Sequence, residues 1–138
     1  MTERSQPNPK TGPANRVLTP GGIYRLDDSL IRFPDTDAKK TRTAHDYRTV
    51  LVMSSALVCR SYEYACVLVA PMSHLVRFCA SVDLIIQPDS QNKLNAPGRV
   101  MLSYMQPVQK SDIRQHIGTV CDEDWQNIMV ALISGIDH

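Results

Sequence analysis

The chain has 138 residues, 43% hydrophobic and 21% charged, which fits one globular domain and excludes wholesale disorder. Lys and Arg number 15 against 14 Asp and Glu, so no net charge marks the whole surface for nucleic acid or membrane; such a partner has to be recognised by a local patch. No apolar run reaches the roughly 18 residues of a membrane span. The opening stretch, MTERSQPNPKTGPANR, lacks the apolar centre of a signal peptide, so a cytoplasmic protein with no membrane partner is expected.

Residues 1–20 read as a disordered tail. Pro7, Pro9, Pro13 and Pro20 stand among Ser, Asn, Gly and Thr, and almost nothing there offsets the entropy of ordering. The domain, residues 21–138, opens at Gly21-Gly22 with the strand GGIYRLD. Leu30, Ile31 and Phe33 suggest a short strand stopped by Pro34, and residues 34–47 a long mobile loop. Three β-prone runs follow: residues 49–53, residues 64–70 ended by Pro71, and residues 81–86 ended by Pro88. A turn-rich connection, DSQNKLNAPG, leads to a fourth run at residues 99–105, which Pro107 ends or borders.

The period then changes. Ser111 or Asp112 can cap a short helix, SDIRQHIG, that Gly118 stops. Asp122, Glu123 and Asp124 favour the start of a longer helix, through which Trp125, Ile128, Met129, Leu132, Ile133 and Ile136 form one apolar stripe. Core packing explains such a stripe; a dimer or partner surface is the alternative. The strand connections are too short for parallel crossovers. The expected architecture is therefore mainly β: a small, partly open antiparallel barrel with a C-terminal amphipathic helix.

Cys59, Cys66, Cys79 and Cys121 form no CxxC pair and read as reduced, mostly buried thiols rather than as a disulfide framework or, with His74, a zinc site. No metal cluster, paired catalytic carboxylates, GxSxG elbow or glycine-rich phosphate loop stands out, so no metal and no cofactor are expected.

A cationic stretch is the clearest chemical feature. KKTRTAHDYR places Lys39, Lys40, Arg42 and Arg48 against Asp46 alone, with His45 and Tyr47 interleaved. Cations for phosphates and a ring for bases suit single-stranded nucleic acid; an ordinary solvated loop is the alternative. Arg48 sits at the base of the following strand, where a held guanidinium is suited to bidentate phosphate contact, or else to an ion pair. Ser73 and His74 follow a strand end, where a hydroxyl can stabilise developing charge or merely cap a turn. His45 and His74 can serve as acid and base only if the fold brings them together.

In sequence order these segments resemble the MazF/PemK family of toxins from type II toxin–antitoxin modules. GGIYRLD is similar to the family's opening strand, and YRTVLVMSS to its Arg-Pro-Val-Leu-Val strand, with Thr49 in the proline's place. CVLVAPMSH is similar to the central strand ending in Thr or Ser, and RVMLSYMQPVQKSDIRQHIG, followed by the acidic-capped terminal helix, to the family's last strand and helix. The likeness spans about residues 21–137. It implies an SH3-like barrel, a homodimer, a cognate antitoxin partner, and metal-independent cleavage of single-stranded RNA at short sequences.

Carried over by position, the resemblance makes Arg48 and Ser73 the catalytic pair. It assigns RNA binding to Lys39, Lys40, Arg42, His45, Asp46, Tyr47, His74, Tyr104 and Gln106. The chain departs from the family on the last strand. Met101 and Ser103 stand where some members have an arginine and an aspartate, and Tyr104 offers a stacking contact in place of a lost hydrogen bond. Two other functions fit the same fold. One is gyrase binding through the C-terminal helix, as in CcdB toxins, which would need Trp125, Gly135 and Ile136 at the surface. The other is an inactive member that only binds RNA or protein.

Overall fold

β1 (Gly22–Asp27) leads into a 3-10 turn (Asp28–Leu30) and then α1 (Pro34–Lys39). β2 (Tyr47–Val52), α2 (Ala56–Arg60) and β3 (Cys66–Ser73) follow. β4 (Leu84–Ile86) and β5 (Gly98–Val100) come next, then a 3-10 turn (Leu102–Tyr104) and β6 (Gln106–Gln109). A 3-10 turn (Lys110–Asp112), β7 (His116–Thr119) and α3 (Asp122–Ile136) close the chain. This computed structural model describes residues 18–39, 45–78 and 82–136. Most of the expected tail, together with Lys40, Arg42, Cys79 and His138, lies outside the described residues.

Among the described residues, the strands form one antiparallel seven-stranded sheet in the order β4-β5-β3-β2-β1-β7, with β6 also on β3. β3 carries β6 along Cys66–Val69 and β5 along Met72–Ser73, both on the same edge. The sheet curls around that long strand into a half-barrel. The partly open antiparallel barrel with a terminal helix, expected from the strand pattern, is what forms.

Both faces of the sheet are covered. Leu26, Val50, Val52, Val67 and Val69 join one core cluster with Ile31, Phe33 and Ile113. Ile23, Leu51, Ala70, Met72 and Val100 join a second, on which α3 packs Ile128, Trp125, Met129 and Leu132. This explains why residues 50–53 are apolar without a break: alternate side chains enter opposite cores. Leu18, within the segment read as tail, is buried in the first cluster. Among the described residues, no helix is long and apolar enough to cross a membrane.

Several local expectations are corrected. Leu30, Ile31 and Phe33 form no strand. The chain turns at Asp28, whose carbonyl accepts the Ile31 N–H at 3.1 Å, and Ile31 and Phe33 anchor in the first core. The expected loop at residues 34–47 begins as α1, with Pro34 at its first position. Asp37 Oδ2 accepts the Phe33 N–H at 2.8 Å while the Phe33 carbonyl accepts the Asp37 N–H at 2.7 Å. α2 went unread in the sequence; Ser55 Oγ caps it by accepting the Val58 N–H at 3.4 Å.

β3 runs through Pro71 rather than ending there. The Pro71 carbonyl accepts the Met101 N–H, so the proline's missing donor faces the edge where β6 has ended and β5 begins. The single strand expected at residues 99–105 is instead broken after Val100 by the turn Leu102–Tyr104, which carries the chain from one partner position on β3 to the next. The helix expected for SDIRQHIG is a turn followed by β7. Ile113 and Ile117 mimic a helical spacing yet enter different core clusters. On α3, Ile133 leaves the expected stripe and is 63% exposed.

Gly118 does not stop a helix; it lets β7 lie against the connection before β5. A Cβ there would fall 2.3 Å from the Asn92 carbonyl oxygen, a backbone atom that cannot swing aside. Asn92 is itself fixed, with its side-chain amide donating to the Gln87 carbonyl at 2.9 Å and its Oδ1 accepting the Asp89 and Leu94 N–H groups. Gly118→Ala is expected to destabilise the fold by about 1–3 kcal/mol, read in urea unfolding; an unchanged midpoint would contradict this packing.

Candidate functional site

The site is built where β1, β2 and β3 end near the chain's first turn. Arg48, second residue of β2, is opposite Leu26 in β1, two residues before Asp28. The Arg48 Nε–H donates to Asp28 Oδ1 at 2.9 Å, and its Nη1 donates to the Met72 carbonyl at 3.3 Å. The Asp28 side chain is 1% exposed and that of Arg48 14%. Asp28 Oδ2 also accepts the His45 N–H at 3.0 Å. The guanidinium carbon lies 5.1 Å from the centre of the Phe33 ring. Arg48 is thus held on its inner side by a buried carboxylate, a carbonyl and a ring, and those bonds use two of a guanidinium's five N–H donors.

A groove of about 610 Å³ runs past this arginine. It brings together six of the residues singled out from the sequence: Arg48, Ser73, His74, His45, Tyr47 and Tyr104. Ser73 ends β3 beside the arginine. Its Oγ accepts the Leu75 N–H at 3.1 Å, the turn cap that sequence offered as an alternative, and this bond leaves the hydroxyl proton to be donated. His45 and His74 are both exposed and line the same groove. Tyr47 is 59% exposed at its rim.

Other expected residues stand elsewhere. Asp46 lines a neighbouring concavity of about 990 Å³, which shares His45 and Tyr47 with the groove and contains Arg25 and Arg114. Lys39 is exposed at the end of α1, away from the groove lining. Gln106 is absorbed by structure: its amide accepts the Arg32 N–H at 2.9 Å and donates to the Arg32 and Tyr104 carbonyls.

Of the described cysteines only Cys59 is buried; Cys66 is exposed and Cys121 half-buried, so the expectation of mostly buried thiols does not hold. The Cys59 thiol is pushed up from its ordinary value chiefly by burial. Among the described residues, Asp89, Cys121 and Asp124 bring possible ligand atoms within 4.8 Å of one another, at the foot of α3 and outside the groove lining. The Asp89 Oδ1 there already accepts the Gln91 and Asn92 N–H groups.

Tyr104 ties α1 to the groove. Its ring meets Phe33 edge-on at 5.0 Å, and its hydroxyl donates to the Asp35 carboxylate, with oxygens at 2.9 and 3.0 Å. That bond lowers the Asp35 carboxyl below its usual 3.8 and, with burial second, raises the Tyr104 phenol above its usual 10.0. A depressed acid stabilises above its unfolded value and loses that contribution as pH falls through the folded one. A raised phenol stabilises below its unfolded value and loses that as pH rises. The tether is therefore complete between those limits. Tyr104→Phe is expected to return the Asp35 carboxyl towards its ordinary value, seen by NMR titration, and to speed hydrogen exchange in α1; an unmoved Asp35 titration would contradict the tether.

Sequence reading missed Asp28, Phe33 and Arg99 as site residues. The first had a signal: it follows the strand that pairs with the Arg48 strand. Arg99 had none short of the β5 register, which sets it opposite Ser73.

A family profile described as PemK-like, MazF-like toxin of type II toxin–antitoxin system matches residues 29–135. No curated protein sequence matches the chain. Solved structures share the fold. The Mycobacterium tuberculosis toxin MazF-mt6 superposes with TM-score 0.62 at 21% identity, over 84% of this chain and 96% of that one. A mycobacterial endoribonuclease in complex with its cognate antitoxin gives 0.62 at 16%, over 88% and 95%. MazF from Deinococcus radiodurans gives 0.64 at 13%, over 88% and 98%. At such identities the structural likeness establishes the fold, while the profile spans most of the sequence: the chain belongs to the PemK-like, MazF-like toxins of type II toxin–antitoxin systems.

Proposed function

We propose that this toxin is an endoribonuclease that cuts single-stranded RNA in the groove containing Arg48 and Ser73. The observation that carries the reading is the placement of a sheet-held guanidinium and a strand-end hydroxyl in one groove, with two exposed histidines beside them. The ribose 2′-oxygen attacks the adjacent phosphorus, and the bond to the 5′-oxygen breaks. One proton leaves the 2′-hydroxyl and one reaches the departing 5′-oxygen, giving a 2′,3′-cyclic phosphate and a 5′-hydroxyl. Arg48 neutralises the charge gathered on the non-bridging oxygens of the pentavalent phosphorane, and Ser73 donates to one of those oxygens. An arginine is a poor base. His45 and His74 bring to the groove two imidazoles, the side chain most often used as a general acid or base.

The reaction so written draws its positive charge from arginine and needs no metal ion. Tyr47 at the rim and Tyr104 within offer rings on which bases can stack. In the cell the same groove is proposed to be covered by a cognate antitoxin, whose acidic residues compete for the phosphate-binding cations, and the toxin to act as a homodimer. Incubation of the purified protein with total RNA is expected to yield discrete fragments, at a rate about 10²-fold lower in Ser73→Ala. Intact RNA after incubation with a folded protein would overturn the reading.

A further inference from the structure

The groove contains a second arginine that neither the resemblance nor the proposed cleavage step uses. Arg99 is the central residue of β5, where it pairs in register with Ser73 on one side and Ile85 on the other. The β2–β3 register, carried two residues past Val50↔Pro71, brings Arg48 level with Ser73 from the opposite side. Directly paired residues of an antiparallel sheet project to the same face. Arg48, Ser73 and Arg99 therefore form one row across three neighbouring strands, and all three line the groove. Strands lie about 4.8 Å apart, so the backbones of the two arginines are roughly 10 Å apart with the serine between them.

The two arginines are also comparably buried beside a carboxylate, Arg48 held by a hydrogen bond and Arg99 by a longer ion pair. Each side chain is 14% exposed and each faces a buried carboxylate: Asp28 at 2.9 Å for Arg48, and Asp83, itself 3% exposed, at 4.0 Å for Arg99. Arg99 Nη2 further donates to Met101 Sδ at 3.1 Å. A solvated surface arginine has no such mounting. Holding a second guanidinium beside a hydroxyl, across from the first, costs desolvation that the fold must offset elsewhere. Such a cation is suited to bind a polyanion at two successive phosphates rather than one.

We propose that Arg99 is a second phosphate-binding residue of the groove, gripping an RNA phosphate next to the one held by Arg48 and so fixing the strand across Ser73. The proposal rests on the RNA reading given above. The test uses a mixed-sequence single-stranded RNA with 2′-O-methyl riboses, which lacks the attacking hydroxyl and reports binding alone. Its dissociation constant is measured against salt concentration. Losing one phosphate contact lowers the slope of log K against log salt by about 0.7. Arg99→Gln is expected to lower it by that amount and to weaken binding about 10- to 100-fold. Arg99→Lys is expected to restore the slope through its charge but not the full affinity.

Should Arg99→Gln fail to fold because Asp83 is left buried, the double variant Arg99→Gln/Asp83→Asn removes both charges together and carries the same expectation. A merely structural role would change affinity or stability without moving the slope. An unchanged slope in a folded Arg99 variant, beside a lowered slope in Arg48→Gln/Asp28→Asn, would overturn the role of Arg99 and leave the cleavage reading standing. Salt-independent binding, or no binding, by the unaltered protein would overturn both.

Discussion

Replacing Arg48 by glutamine together with Asp28 by asparagine is expected to slow RNA cleavage by about 10³-fold while leaving a folded protein. The double change is required by the geometry. Arg48→Ala alone removes the guanidinium but also strands the Asp28 carboxylate, 1% exposed, without its charged partner. Loss of activity in that variant would mix chemistry with unfolding. The glutamine–asparagine pair keeps donors and acceptors in place and removes both charges. Arg48→Lys is the complementary variant: it keeps the charge but loses the planar fork, so the Asp28 and Met72 contacts cannot be made together with a bidentate phosphate contact. Its rate is expected to fall between those of the double variant and the unaltered protein. Single-turnover cleavage, with thermal unfolding recorded on the same samples, reads both quantities. A folded double variant that cuts at the normal rate would remove Arg48 from the chemistry.

Asp28→Ala is expected to cost about 3–5 kcal/mol of folding stability, measured by urea unfolding. Three features set that size. The carboxylate is buried, it holds a guanidinium that is itself largely buried, and it accepts the His45 N–H as well. Removing it leaves Arg48 as a largely buried, unpaired cation and releases the start of the segment that lines the groove. Asp28→Asn keeps a hydrogen-bond acceptor and is expected to lose less. Near-normal stability in Asp28→Ala would show that the pair contributes little, and with it the idea that Asp28 mounts the arginine.

The parts of this molecule legible in the sequence were those governed by short-range pattern. The Gly21-Gly22 turn announced β1, β-prone runs announced β2 and β3, and the acidic start with its stripe announced α3. What escaped depended on partners distant in the chain. Residues 99–105 looked like one strand because their composition is β-prone; only β3, which offers its edge twice, requires the break at Leu102–Tyr104. SDIRQHIG looked helical because Ser111 or Asp112 can cap it and Gly118 can stop it, whereas the sheet edge presented by β1 draws His116–Thr119 into a strand. Pro71 looked like a stop because a proline lacks a donor, and the fold places that lack where no donor is needed.

The site followed the same division. Arg48 and Ser73 could be singled out from their positions at strand ends. Asp28, which determines how Arg48 is held, could not, because it lies 20 residues away in sequence. Gln106 stood in the right region but spends its amide on Arg32 and Tyr104. The gyrase-binding alternative loses support from Trp125, which packs half-buried in the second core beside Gly21 instead of presenting itself to a partner.

The most direct test of the central claim is to map the chemistry of the cut ends after the purified protein has acted on RNA in EDTA. The expected result is discrete fragments with 5′-hydroxyl and 2′,3′-cyclic phosphate termini, formed at the normal rate with chelator present. Fragments with 5′-phosphate ends, or cleavage that stops in EDTA, would contradict transfer to the neighbouring 2′-oxygen under an arginine and a serine.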